Sequence, residues 1–207
     1  IDFPHSLGLL FSTFTSFLGF RVNEDEYKVM GLSAYGKPNY VNLINKLVDW
    51  KSDGSFKLNM NYFSFRESSR MWNKKFEELF GRPRKLLDPI TKEYKNIASS
   101  IQEVTEKLYF SILNEAFKIT KQNSLCIGGG VGLNALANGK IFKNTSFKKT
   151  HILGPSGDSG CALGAALFTH YNILSKKRSS DQSLDSLSLG SFFENNQIEE
   201  ILKKQNL

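Results

Sequence analysis

An α/β fold, with helices layered on a partly parallel sheet, is what the sequence predicts, and three observations predict it. Strand, glycine loop and helix follow one another twice, over residues 124–142 and 150–174. Alternation of that kind builds parallel strands covered by helices, with the site at the carboxyl ends of the strands. Over residues 91–120 apolar side chains recur every three or four positions, the mark of a long helix lying on a core. Finally, 40% of the 207 residues are hydrophobic, which furnishes a core and excludes disordered and fibrous classes.

The elements follow in order. Leu7, Leu10, Phe14, Phe17 and Leu18 step by three and four, so a mostly buried helix is predicted over 7–20, with Pro4 and Ser6 as start signals. A polar turn, 23–26, precedes a short helical segment, 27–32, that ends on Gly36 and Pro38. Residues 40–50 read as an amphipathic helix. Residues 55–65 alternate, Phe56, Leu58 and Met60 against Lys57, Asn59 and Asn61, as a strand or hairpin arm does. A charged helix over 69–80, apolar at Met71, Trp72, Phe76, Leu79 and Phe80, closes at Gly81 and Pro83.

The 91–120 helix, with Ile97, Ile101, Val104, Leu108, Ile112 and Ala116 on one face, delivers the chain into a strand at 124–127. That strand runs into Gly128-Gly129-Gly130-Val131-Gly132-Leu133-Asn134 and a helix expected to last through 142. A second strand, 150–153, leads through Gly154-Pro155-Ser156-Gly157-Asp158-Ser159-Gly160 to an apolar helix over 161–174. Six of the thirteen residues from 179 to 191 are serine, which reads as a linker, and a short helix is expected over 197–204.

Subtracting 20 acidic from 27 basic residues leaves a net charge of +7, which favours anionic partners such as nucleotides and phosphates. Two cysteines, Cys126 and Cys161, are too few for a disulfide framework; both read as buried thiols in a reducing compartment. The apolar run at 161–168 falls far short of the roughly 20 residues a bilayer span needs, and no signal peptide is recognisable. The expectation is a cytoplasmic chain with no membrane partner. Because Ile1 is not Met and the chain enters directly on a helix pattern, it is expected to be a piece of a longer protein.

Consecutive glycines between a strand and a helix let backbone N–H groups approach a ligand, and the helix start adds partial positive charge. Anions, nucleotides above all, suit that geometry; the alternative is a junction that needs glycine only for packing. Gly130-Val131-Gly132-Leu133-Asn134-Ala135 even satisfies a dinucleotide fingerprint. The following strand, however, ends His151-Ile152-Leu153-Gly154 without the acid that a Rossmann ribose site needs, and no Gly-Lys-Ser/Thr makes a P-loop. Asp158, the only carboxylate between Lys118 and His170, can be a helix cap or a metal ligand. Lys28, beside Glu24 and Glu26, can be a solvated charge, although Gly31 nearby suggests close packing. His5 opens a helix, and His151 and His170 show no ligand spacing. Lys140, Lys143, Lys148, Lys149 and 176–178 read as solvated surface, since no nucleic-acid module accompanies them. The 17 Phe and 7 Tyr read as core.

Four motifs in order carry a resemblance. They are Phe3-Pro4-His5-Ser6-Leu7-Gly8-Leu9-Leu10-Phe11-Ser12; Glu26-Tyr27-Lys28-Val29-Met30-Gly31-Leu32-Ser33-Ala34-Tyr35-Gly36; Gly129-Gly130-Val131-Gly132-Leu133-Asn134 with Ala137-Asn138-Gly139-Lys140; and 154–160 with Leu163-Gly164-Ala165-Ala166. Together they resemble the carbamoyltransferase family that includes the nodulation-factor, cephamycin and tobramycin carbamoylation enzymes. The resemblance implies the second half of an actin and sugar-kinase-like (ribonuclease H-like) nucleotide-binding domain over residues 1–175. Residues 176–207 would lead toward a synthase-like domain that makes carbamoyl adenylate from carbamoyl phosphate and ATP.

The activity it implies is O-carbamoyl transfer: the actin-like domain binds the adenylate beside a divalent metal such as Fe²⁺ and passes the carbamoyl group to a hydroxyl of a small-molecule acceptor. By the same resemblance Gly128, Gly129, Gly130, Val131, Asn134 and Pro155 would hold the nucleotide. Glu24, Lys28 and Gly31 would face it from the other side, with Lys28 and Asp158 catalytic and Asp158 a metal ligand. The family's histidine ligands lie upstream of the Phe-Pro-His motif, so the metal site would be half built here, with His5 not their equivalent. The chain alone would then bind nucleotide weakly and not complete the transfer. Gly132, Ser156 and Ser159 stand where relatives often carry Ala. A non-catalytic nucleotide-binding module remains the alternative, and a phosphotransferase of the same fold lacks its expected acids and threonines. No nucleic-acid partner is expected, and a homo-oligomer is compatible with all of this.

Overall fold

The computed structural model describes residues 2–178 and 190–205, so most of the serine-rich stretch expected as a linker, 179–189, lies outside the described residues. The protein is mixed α/β. Its strands form two small sheets, one antiparallel and one parallel, and the chain divides into two compact units, Ile1–Cys161 and Ala162–Leu207.

In the first unit, helix α1 (Leu7–Phe17) starts where the Ser6 hydroxyl accepts the Leu9 N–H at 3.2 Å. It is buried on every side. Thr13 and Thr15, fully enclosed, return their hydroxyls to the carbonyls of Leu9 and Phe11, which satisfies groups that would otherwise be costly to bury. Helix α2 (Glu26–Leu32) passes into a 3-10 turn (Ser33–Tyr35) that ends at Gly36. Helix α3 (Val41–Ile44) and a second 3-10 turn (Asn45–Leu47) lead to strand β1 (Val48–Trp50). The helix expected over 40–50 is therefore cut short. Val48, Asp49 and Trp50 pair instead with Leu58, Lys57 and Phe56 of β2 (Phe56–Leu58), around a turn at Gly54, whose φ is +78°.

The charged helix expected from residue 69 begins only at Lys74. Trp72 pairs with Phe63 in an isolated bridge, and Asn73 caps α4 (Lys74–Phe80) through the N–H groups of Lys75 and Phe76. Phe14, Phe17, Trp72, Phe76 and Phe80 then close the core with ring centroids 4.6 to 6.4 Å apart, the range of favourable aromatic pairs.

Helix α5 (Lys92–Thr120) is the spine, 29 residues and roughly 44 Å long at 1.5 Å per residue. Its predicted apolar face is buried at Ile97, Ile101, Val104 and Leu108. Helices α1, α2 and α3 all pack on it, and it ends at Lys121, in the left-handed region at φ 54°. Strand β3 (Ser124–Ile127) then pairs in parallel with β4 (Lys149–Ile152), as the repeated strand–loop–helix pattern predicts. The helix expected through 142 is broken: a 3-10 turn (Gly130–Leu133), α6 (Ala135–Asn138) and α7 (Ile141–Asn144) replace it. Leu125, Ile127 and Ile152 pack against the core, while Cys126 lies on the exposed face. Both cysteines are exposed, against the expectation of buried thiols.

Helix α8 (Gly160–Phe168) is apolar yet has no buried residue, and a π-helical turn (Thr169–Ile173) continues it. Helix α9 (Asn195–Lys204) opens on a capping box between Glu194 and Gln197. Among the described residues no helix is long and apolar enough to cross a membrane.

Candidate functional site

Two glycine loops meet at the carboxyl ends of the parallel strands. After β3 the chain turns at Gly129, where φ 98° and ψ 161° suit glycine almost alone. Its N–H donates to the Ser156 carbonyl of the second loop at 2.7 Å. A β-carbon added to Gly128, Gly129 or Gly130 would meet nothing within 4 Å. Packing therefore does not explain glycine at these three positions; open space stands in front of them. The N–H groups of Gly130 and Val131, the first of the 3-10 turn, have no acceptor among the described residues and form the kind of donor pair that anions take. Gly132 is different: its added β-carbon would crowd Ser156 Oγ at 3.1 Å and Ile127 Cγ2 at 3.2 Å.

The second loop folds on itself. At Gly160 an added β-carbon would sit 2.1 Å from the Pro155 carbonyl oxygen, and Gly157 lies against Leu133 and Gly130. Ser156 is buried with no partner for its hydroxyl among the described residues. Asp158 is exposed and its carboxylate makes no hydrogen bond or ion pair among the described residues. It contributes only its carbonyl, which accepts the Cys161 N–H at 3.0 Å. The helix-cap alternative for Asp158 has no hydrogen bond to support it. As for a metal, no group of three His, Cys, Asp or Glu able to hold one occurs among the described residues, so Asp158 stands as a single donor and the described set does not fit a resident metal.

The end of α2 carries the other candidates. Lys28 Nζ bonds Asp25 at 2.8 Å, Asp25 also accepts the Arg21 N–H at 3.0 Å, and Glu24 pairs with Arg21 at 2.8 Å. The Lys28 ammonium, then the Arg21 N–H, hold the Asp25 carboxyl below the usual carboxylate range; Asp25 in turn raises Lys28. Gly31 is exposed with nothing within 4 Å of an added β-carbon, which corrects the expectation of close packing there. Close approach occurs at Gly36, whose β-carbon would fall 2.0 Å from the Lys95 carbonyl oxygen.

Helix α1 relates these groups to the loops. Gly8 faces Val131, with an added β-carbon 3.6 Å from its side chain, and Ser12 donates to Glu26 at 2.7 Å. Positions 8 and 12 share one face of a helix, one turn apart, so α2 and the first glycine loop are neighbours on α1. His5 is structural: its Nδ1 accepts the Leu58 N–H at 3.1 Å.

Sequence reasoning did not single out Gln102, Glu106 and Tyr109, which hold the first loop from behind. Gln102 and Asn134 exchange two amide hydrogen bonds of 3.0 Å. Tyr109 donates to Asn138 at 2.8 Å, and Asn138 donates to the Gly132 carbonyl at 2.7 Å. Lys140 bonds both oxygens of Glu106. The polar spacing of four and three on α5 is the signal that could have found them.

The family model described as Carbamoyltransferase N-terminus matches residues 1–167. The chain is similar to the uncharacterized protein sll1178 of Synechocystis sp., 45% identical over 207 residues, covering 98% of this chain and 34% of that protein. It is 31% identical over 170 residues to the nodulation protein NolO of Bradyrhizobium diazoefficiens, covering 81% of this chain and 29% of that one. Against the nodulation protein NolNO of Sinorhizobium fredii the identity is 32% over 168 residues, covering 80% and 23%. The chain thus spans 23% to 34% of the length of these curated relatives.

Proposed function

This chain belongs to the carbamoyltransferase family, and from that premise we propose that the intact protein transfers a carbamoyl group from carbamoyl phosphate, through carbamoyl adenylate made with ATP, to a hydroxyl of a small-molecule acceptor. In the transfer step the acceptor oxygen bonds the carbamoyl carbon, the carbon–oxygen bond to the adenylate phosphate breaks, AMP leaves and the hydroxyl proton is released. This chain would supply the nucleotide-binding part of that chemistry, on an actin-like fold.

The observation that carries the reading is the open, donor-lined face of the first glycine loop. Three glycines with free space before them and two unpartnered N–H groups suit a phosphate. Asp158, uncommitted on the loop that Gly157 presses against Gly130, would meet the acceptor hydroxyl in this reading. Pro155 belongs to the same loop. In this reading Lys28, Glu24 and Gly31 form the opposite wall. Since Asp158 is a single donor, no step here runs through a metal.

The test is calorimetric titration of ATP, AMP and a non-hydrolysable carbamoyl-adenylate analogue into the intact protein. Gly130→Val fills the open face with a branched side chain and is expected to weaken binding at least tenfold. Asp158→Ala is expected to keep AMP binding and lose carbamoyl transfer. Unchanged affinity in Gly130→Val overturns the site assignment. Nucleotide binding with no transfer by the wild-type protein favours the non-catalytic module.

A further inference from the structure

Besides the buried Asn96, Ser100 and Thr105, α5 carries a polar stripe that faces the first glycine loop. Gln102, Glu106 and Tyr109 succeed one another at four and three positions and therefore share a face. Gln102 is 4% exposed and Tyr109 6%. All three reach the segment that follows β3.

The direction of each bond is fixed by its partner. Glu106 can only accept, so the Gln102 nitrogen faces Glu106 Oε1 at 2.9 Å, and its second hydrogen goes to Asn134 Oδ1. Asn134 Oδ1 also accepts the Ala137 N–H, so its nitrogen must return to Gln102. A carbonyl likewise only accepts, so Asn138 turns its nitrogen to Gly132 and its oxygen to the Tyr109 hydroxyl. Burial raises the Tyr109 phenol to about 12, so it remains a donor throughout the working range of pH.

These bonds grip the 3-10 turn at residues 132 and 134, its exit, while nothing touches a β-carbon position at 128–130, its entrance. With the entrance tied only by the Gly129 N–H to the Ser156 carbonyl, the bonds at the exit fix the direction of the free N–H groups. We propose that Gln102 and Tyr109 are positioning residues, which hold the glycine loop so that the N–H groups of Gly130 and Val131 converge on a nucleotide phosphate. The role rests on the nucleotide-binding reading above. Neither side chain is placed in contact with the ligand.

The test measures AMP affinity and steady-state transfer in the intact protein for Tyr109→Phe, Gln102→Leu, Asn138→Leu and the double variant Tyr109→Phe/Asn138→Leu. Tyr109→Phe removes one hydroxyl and keeps the ring, so it is the variant that decides if Gln102→Leu does not fold. The expected result is a folded Tyr109→Phe protein whose AMP Kd and nucleotide KM rise about tenfold with kcat within about twofold. A group that served only stability would move neither well below the melting temperature. Tyr109→Phe and Asn138→Leu should also be non-additive in Kd, because they cut one relay. Wild-type affinity in folded Tyr109→Phe, or additive effects of the pair, overturns the positioning role and leaves the nucleotide reading standing. Absence of AMP and ATP binding by the wild-type protein overturns both.

Discussion

Gly31 and Gly36, five positions apart, answer to opposite constraints. At Gly36 the chain lies against the backbone of α5, and the contact is locked by two further bonds, Lys37 N–H to Asn96 at 2.8 Å and Tyr40 N–H to Ser100 at 2.9 Å. At Gly31 a side chain would find only open space inside a helix. Gly36→Ala should therefore cost about 3 kcal/mol through forced overpacking, whereas Gly31→Ala should gain about 0.5–1 kcal/mol of helix stability. Urea unfolding of both variants checks the pair, and equal effects would contradict the backbone contact. The sequence shows two glycines in one motif and cannot separate them, because the difference lies in α5, sixty residues away. The loop at Gly128–Gly130 was legible, since three adjacent glycines after an apolar run mark where a strand ends.

At the scale of elements, α1, α2, α5 and β3 were readable, whereas β1 and the breaks in the helices expected over 40–50 and through 142 were not. Six apolar positions at helical spacing marked the buried face of α5; Ile97, Ile101, Val104 and Leu108 are buried, and Ile112 and Ala116, toward the end of the helix, are half-buried. The polar stripe was hidden, because Gln102 and Glu106 look like solvated surface until the segment opposite them is placed. Strand β1 was hidden for another reason: three residues are too few to show a period of two against a helix background. The stripe has a measurable consequence at high pH. An unfolded tyrosine ionises near 10, whereas Tyr109 is held neutral to about 12 by burial. The stability Tyr109 lends is thus complete below about pH 10 and is lost as pH rises toward its folded value. In an absorbance titration of phenolate, Tyr109 should ionise late, near pH 12, and Tyr109→Phe should remove that late step. A titration in which Tyr109→Phe removes a step near pH 10 instead would place the ring in solvent.

At the scale of the molecule, burial is concentrated in the first unit. The reading of aromatic content as core holds for Phe14, Phe17, Phe63, Phe76 and Phe80, and fails for Phe142, Phe168, Phe192 and Phe193, which are more than half exposed. Phe76→Ala should cost about 3–5 kcal/mol, the range for a buried Phe truncated to Ala, while Phe168→Ala should stay within about 0.5 kcal/mol. Melting curves of the two variants test where the core lies; a large loss from Phe168→Ala would mean that α8 is covered in the protein as measured. Composition told how much apolar material the chain holds, but its distribution between units depends on packing partners that no local pattern encodes.

The link from Gly129 to Ser156, and those from Gln102 and Tyr109 to Asn134 and Asn138, join segments 27 to 32 positions apart in the chain. None can form until a loop of that size has closed, an entropic cost that local helices do not carry. The glycine-loop face therefore depends on non-local closure, as do the longer-range contacts of Lys37 with Asn96 and of Phe14 with Phe76. A chain leaving the ribosome has no such face until its second glycine loop is free to dock, and partial unfolding that releases either loop erases it.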